Sequence, residues 1–456
     1  MGHVTRTLQG ASPRNSGRLS RRLSAVGLAA ALLAGVAACG DDDAGSATTA
    51  GAAPTTSGEP VESTCVADVD SAIAAGTSEP SLEPLPADLV ASLDAAVQAS
   101  FAQASAPGAI VGVQTPEGTW TAAYGLADPD AGMPMEVGMH TRIGSVTKTF
   151  VNTLLLQLEE EGVLSLDDTI DEYVDGVPNG DRITLRMLAD MTSGVQSYTL
   201  TQEFVEILFT RPETVWTPQE VLQIGLDASP LFEPGAEFYY SNSNTILIGM
   251  VIEQLTGQPV QDVLQERIFD PLGLDGTSWP GTSTDIPEPY AQGFTLQGMA
   301  TPDNPSNTTH WNVEWAWTAG EMISTIDDLL LWGRSLATGR GILGDEAQAA
   351  RLTSFPGESG YGLALGCVDE WVGHTGELPG YNTSLFHHVP TDTTVIVQAN
   401  SDIASGDCPD ALPTLPDNNP DLVCTSPATR IFVALSDALG YPFPPEIEAW
   451  LHGATG

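Results

Sequence analysis

Lysine is almost missing from this chain. Its 456 residues contain one, Lys148, in the segment RIGSVTKTF at 142–150. All other basic side chains are arginine, and the 15 basic groups face 59 acidic ones, for a formal charge of −44. A field of that sign repels phosphate backbones and anionic lipid surfaces, which argues against nucleic acid as a partner and against electrostatic docking on a membrane. Long apolar runs are scarce as well. The run AVGLAAALLAGVAA at 25–38 is too short for a stable membrane-spanning helix. Cysteine is sparse, with five residues and no CxxC or Cys/His spacing, so neither a zinc site nor any other metal or cofactor is expected. The G-x-S-x-G motif is also absent, which argues against an α/β-hydrolase nucleophile elbow.

What is present begins with an arginine-rich, acid-free stretch ahead of that apolar run, which ends in Val36-Ala37-Ala38-Cys39. Positive flank, apolar run, small residues and cysteine in this order resemble a bacterial lipoprotein signal, with residues 1–38 removed and Cys39 lipidated; an ordinary secretory signal is the alternative. Arg21-Arg22 followed by Leu23-Ser24 leaves the export route open. The expected location is the outer face of a bacterial membrane, touched only through the lipid on Cys39, or the medium. Residues 39–80 are rich in Asp, Gly, Ala, Ser, Thr and Pro and read as a flexible tether, with the folded domain at 81–456. The chain beyond residue 38 keeps ten basic groups against all 59 acids, a formal charge of −49.

In an exported protein the four remaining cysteines form two disulfides. Cys408 and Cys424 bracket a Pro- and Asp-rich loop, so the expected pairs are Cys408 with Cys424 and Cys65 with Cys367, although four cysteines permit three pairings.

Periodicity supplies the elements. Leu89, Leu93, Val97 and Phe101 are spaced for a helix, and AIVGVQT and TWTAAYG around Pro116-Glu117-Gly118 read as a hairpin. Val151, Leu154, Leu155 and Leu158 mark a helix from Ser145 to Glu161 that ends at Gly162. Further helices are expected in the middle third. After residue 360, YGLALGC, EWVGHTG, TSLFHHV and TTVIVQAN read as strands, followed by a last helix in ATRIFVALSDALG. The fold class is therefore α+β: an antiparallel sheet built from both ends of the chain, flanked by helices, with a mostly helical lobe inserted between.

With the helix starting near Gly144, Ser145 and Lys148 share one face about one turn apart. A cation in the first turn of a helix, close to an apolar stripe, loses stability from both the helix dipole and desolvation, so its pKa falls and it becomes a general base for the serine. Two further segments sharpen this pattern: Tyr240-Ser241-Asn242, 95 residues after Ser145, and His374-Thr375-Gly376, another 134 residues on.

S-x-x-K, an S-D-N-like triplet and a K-T-G-like triplet, in that order, resemble the serine β-lactamase and DD-peptidase superfamily, in the branch of class C β-lactamases and soluble D-alanyl-D-alanine carboxypeptidases. The likeness runs from about residue 85 to 400. It implies a β-lactamase/transpeptidase-like fold, Ser145 as the acylated nucleophile and Lys148 as its base. Tyr240 would exchange a proton with the leaving group, Asn242 would bond Lys148 and substrate, and His374 would assist across the cleft. Thr375, Gly376 and Glu377 would contact substrate, with the N–H groups of Ser145 and Glu377 as the oxyanion hole. Trp315 would line the acyl pocket or serve as core.

Two positions depart from that pattern. Gly366 stands where some family carboxypeptidases carry an arginine for the substrate carboxylate, and Glu377 stands where they carry a hydroxyl residue. Both disfavour a carboxylate-bearing substrate. The expected activity is thus a serine hydrolase acting on a small ester or amide, with a D-amino-acid peptide of the cell wall among its substrates. D-alanyl-D-alanine carboxypeptidase, β-lactamase, and a non-catalytic sensor of penicillin or wall fragments are the alternatives.

Overall fold

The computed structural model describes residues 65–298, 301–355, 360–409 and 411–444. The expected signal, Cys39 and the tether up to residue 64 lie outside the described residues.

Three strands come from the N-terminal part, β1 (Gly108–Thr115), β2 (Gly118–Asp128) and the short β3 (Met133–Pro134). Four come from the C-terminal part, β4 (Gly366–Val368), β5 (Trp371–Leu378), β6 (Tyr381–His388) and β7 (Thr393–Ala399). They form one antiparallel sheet in the order β3-β2-β1-β7-β6-β5-β4. The two chain ends meet at its centre, where Ala109 pairs with Ala399 and Val113 with Val395. The expected hairpin closes at Thr115 and Gly118. β6 and β7 are buried along their whole length because helices cover both faces.

One face is covered by α2 (Ala87–Phe101) and α6 (Pro427–Leu439), whose Leu93, Val97, Phe432 and Leu435 pack on Val111, Val395 and Val397. The other is covered by α5 (Ile326–Thr338), with α3 (Thr147–Glu160) and α4 (Asn242–Thr256) further from the sheet in the helical lobe. Trp332 of α5 stacks on Phe150 of α3 at 3.7 Å between ring centres and donates its indole N–H to Thr149. Phe150, Val151, Leu154, Leu155 and Leu158 are all buried. At about 1.5–3 kcal/mol each, they outweigh the several kcal/mol that burying one amine costs, so α3 can hold Lys148 inside.

One boundary needs correction. Residues 65–80, expected from composition to belong to the tether, contain helix α1 (Val69–Ala75), capped by the Asp68 carboxylate accepting from the Ser71 N–H. Both disulfides join the expected partners, Cys65 with Cys367 and Cys408 with Cys424. The first ties the segment before α1 to β4, and Arg334 adds bonds to the Ala75 and Ser78 carbonyls. A polar composition hid a segment whose order comes from a covalent staple and from arginines elsewhere in the chain.

Candidate active site

Gly144 has φ +51°, and a Cβ there would lie 2.5 Å from the Glu377 backbone nitrogen. A Cβ on Gly376 would lie 1.9 Å from the Ile143 carbonyl oxygen. Glycine at both positions lets the turn Gly144–Val146, which leads into α3, abut strand β5. The backbone N–H groups of Ser145 and Glu377 are thereby brought to one place.

Lys148 is fully buried. Its Nζ lies 2.9 Å from Ser145 Oγ and donates to the Ala319 carbonyl at 2.6 Å. Desolvation pushes its pKa well below the ordinary lysine value. A carbonyl can only accept, so Nζ donates to Ala319, and once the amine has lost its extra proton its lone pair faces the serine hydroxyl.

Tyr240 stands over this pair, with Lys148 Nζ 4.9 Å from its ring centre. Burial raises the phenol pKa, opposed in part by Ser145, so the hydroxyl keeps its proton. Facing the serine, it has no partner at regular hydrogen-bond geometry among the described residues.

His374 is buried on β5, its ring 6.0 Å from that of Tyr240. Its Nδ1 bonds the Thr375 carbonyl, and its Nε2 lies 3.0 Å from the Tyr361 hydroxyl. Because the carbonyl only accepts, we assign the ring proton to Nδ1, and Nε2 accepts from Tyr361. Burial and the nearby Lys148 lower the His374 pKa to about 3, which keeps the ring neutral. Both nitrogens are engaged away from Ser145, so no Ser-His triad is formed. Tyr361 went unrecognised in the sequence. Its tyrosine is visible in YGLALGC, but its bond to a residue thirteen positions on depends on how β5 folds back.

Asn242 is the residue that departs from expectation. It begins α4 and lines the cleft, yet its Nδ2 donates to Thr199 Oγ1 at 2.9 Å and its N–H to Ser197 Oγ, with no bond to Lys148. The lysine's second polar contact is the Ala319 carbonyl instead.

Ser145 opens into a cleft of about 640 Å³ that Tyr240, Asn242, His374, Thr375 and Glu377 also line. Trp315 is both wall and core, since it borders the cleft and packs edge-to-face on Phe204 at 5.3 Å. One wall was missed: helix Gln202–Thr210 contributes Phe204, Val205, Leu208 and Phe209. Its signal was the Phe204/Leu208 spacing with Thr201 capping the Phe204 N–H. Another wall, Leu412 and Pro413, comes from the loop closed by Cys408–Cys424. Among the described lining residues none is arginine or lysine, and Glu377 is the charged one. Gly366 lies buried in β4 and supplies no cation.

Comparison with known proteins agrees with this arrangement. The family description Beta-lactamase matches residues 93–412. A D-aminopeptidase from Brucella anthropi is 27% identical over 307 residues, which cover 64% of this chain and 56% of that protein. The matches to that enzyme and to two Bacillus subtilis penicillin-binding proteins span 56% to 65% of those relatives' lengths. Among solved structures, a D-stereospecific amidohydrolase from Streptomyces aligns with TM-score 0.62 and 32% identity, over 68% of this chain and 94% of that one. A D-amino acid amidase from Ochrobactrum anthropi, in complex with L-phenylalanine amide, aligns with TM-score 0.64 and 26% identity, over 78% and 99%. With its sheet, its Ser145–Lys148 pair and these matches together, the chain belongs to the beta-lactamase family.

Proposed function

We propose that this protein is a serine hydrolase that forms an acyl-enzyme on Ser145 and cleaves amides or esters of small D-amino-acid derivatives lacking a free carboxylate. The observation that carries this reading is a fully buried Lys148, its pKa pushed well below the ordinary lysine value, whose Nζ is 2.9 Å from Ser145 Oγ, at a cleft with no lining arginine or lysine among its described residues.

In the first step Lys148 takes the Ser145 proton while Oγ bonds the substrate carbonyl carbon. The oxyanion is held by the N–H groups of Ser145 and Glu377. Tyr240, kept protonated by burial, gives its proton to the leaving nitrogen or oxygen as the C–N or C–O bond breaks, and Lys148 restores it. Water then attacks the ester carbon, and the same groups return the proton to Ser145 Oγ. Tyr361 and neutral His374 hold Tyr240 from the side through ring contacts at 5.9 and 6.0 Å. The names of the relatives support a D-amino-acid amide or peptide as substrate. The aromatic wall of Phe204, Phe209 and Trp315 fits an apolar side chain.

Export and anchoring through Cys39 are part of this proposal, supported by residues 1–39 and by two disulfides, which persist in oxidising compartments. Labelled palmitate incorporated by the expressed full chain and lost in Cys39→Ala checks it.

A panel of D-phenylalanine amide, a neutral phenyl ester, D-alanyl-D-alanine peptide and a cephalosporin tests the activity. Turnover of the amide or ester, at least about a hundredfold above that of the carboxylate-bearing peptide, is expected, since a missing bidentate partner and a facing anion each cost 1.5 kcal/mol or more. Release of D-alanine as the fastest reaction would overturn the reading.

A further inference from the structure

Asp402, just past the end of β7, is 7% exposed. Thr295 Oγ1 and Gln297 Nε2 both donate to its Oδ2, at 2.8 and 2.6 Å. Its Oδ1 has no partner among the described residues. A carboxylate oxygen left bare in the interior is expensive; among the described residues Glu314 and Glu321 each carry one as well, but neither lines the cleft or the chamber beside it. Asp402 borders a side chamber of about 30 Å³, whose Leu296, Gln297, Glu377, Leu412 and Ser426 also line the main cleft. That volume admits one water-sized group, and an ammonium is about that size. Burial and the neighbouring Glu377 charge push the Asp402 carboxyl up to about 8, a displacement that a cation in the chamber would reverse.

Position gives the chamber its meaning. Glu377 supplies both a side chain to the chamber and, through its backbone N–H, a donor to the oxyanion hole. An α-amino group is two bonds from the carbonyl carbon of its own residue, so a substrate with its carbonyl at Ser145 keeps that nitrogen close to the oxyanion hole, which Glu377 joins to the chamber.

We propose that Asp402 and Glu377 form an anionic subsite that takes the protonated α-amino group of an amine-bearing substrate while its carbonyl lies at Ser145. The subsite rests on reading the cleft as an acyl-transfer site. It favours amino-acid amides, esters or peptides with a free N-terminus over neutral acyl groups, and it places the selecting charge beside the oxyanion hole.

The test separates binding from turnover. The Ser145→Ala protein, otherwise full length, is titrated calorimetrically with D-phenylalanine amide and with N-acetyl-D-phenylalanine amide. The free amine is expected to bind at least about tenfold more tightly, the worth of one charge-assisted hydrogen bond. In Ser145→Ala/Asp402→Asn that preference should fall below about threefold, and Ser145→Ala/Glu377→Gln, at a half-exposed position, gives the same readout if the first double variant does not fold. Equal affinity for the two ligands, binding of neither, or a preference untouched by both second substitutions overturns the subsite. Amine preference without turnover by the wild-type protein would overturn the hydrolase reading and leave the subsite standing, whereas turnover without preference would do the reverse.

Discussion

Lys148 is enclosed on all sides, and its burial has a thermodynamic sign that can be measured. Its folded-state pKa lies below the unfolded value of 10.5. Between those two values the unfolded chain binds a proton that the folded chain does not, so stability rises with pH across that window. The cost of burying the amine is full below the folded pKa and vanishes above 10.5. Lys148→Met should therefore stabilise the protein at neutral pH by about 1 kcal/mol, a typical gain when a strained functional group is removed. Thermal unfolding at several pH values should show the advantage narrowing toward pH 10.5. Activity has the matching sign: it falls as the medium is acidified through the lowered pKa, because a protonated lysine cannot accept the Ser145 proton.

At the scale of elements, the site depends on two backbones touching. The Gly376 Cα faces the Ile143 carbonyl with no room for a methyl group, since the nearest atom is backbone and cannot rotate away. Gly376→Ala should push β5 from the Ser145 turn and lose an oxyanion donor, lowering kcat/KM about a hundredfold or more. A crystal structure or hydrogen exchange of the variant would locate the displacement. The same scale shows what could be read in advance. The five longer sheet strands, α3, α4 and the terminal helix were legible from their apolar periods, whereas the two-residue β3 was not, and the strand expected over YGLALGC is confined to Gly366–Val368. The Ser145–Lys148 pairing was legible because a three-residue spacing on a helix has one geometry. Helix Gln202–Thr210 was not, since nine residues with two buried side chains give little period. The Tyr361–His374 bond, the Asn242–Thr199 bond and the orphaned Asp402 oxygen depend on which elements pack together, and spacing along the chain carries no record of that.

Across the whole molecule, a chain of formal charge −44 repels itself, and covalent closure offsets part of that repulsion. The Cys65–Cys367 bond spans 302 residues of sequence and fastens α1 against the body of the fold. Cys65→Ser should cost about 5–6 kcal/mol in the chain-entropy picture. The loss should shrink as salt is added, because screening weakens the repulsion that helps the freed segment depart. Denaturant titrations at low and high ionic strength measure both effects. The Cys408–Cys424 loop is a different device, since Leu412 and Pro413 within it wall the cleft and the Asp402 chamber. A short disulfide here shapes the substrate space more than it limits the unfolded chain.

The central claim is that Ser145 is acylated because Lys148 removes its proton. Intact-mass spectrometry after millisecond mixing with a phenyl ester or a slowly hydrolysed acylating probe tests this most directly. The wild-type protein should gain one acyl group on Ser145 and then lose it, while Ser145→Ala gains none and Lys148→Met acylates at least about a thousandfold more slowly, the combined loss of the base and of its alignment. Acylation of Lys148→Met at the wild-type rate, or an adduct on any residue other than Ser145, would contradict the account.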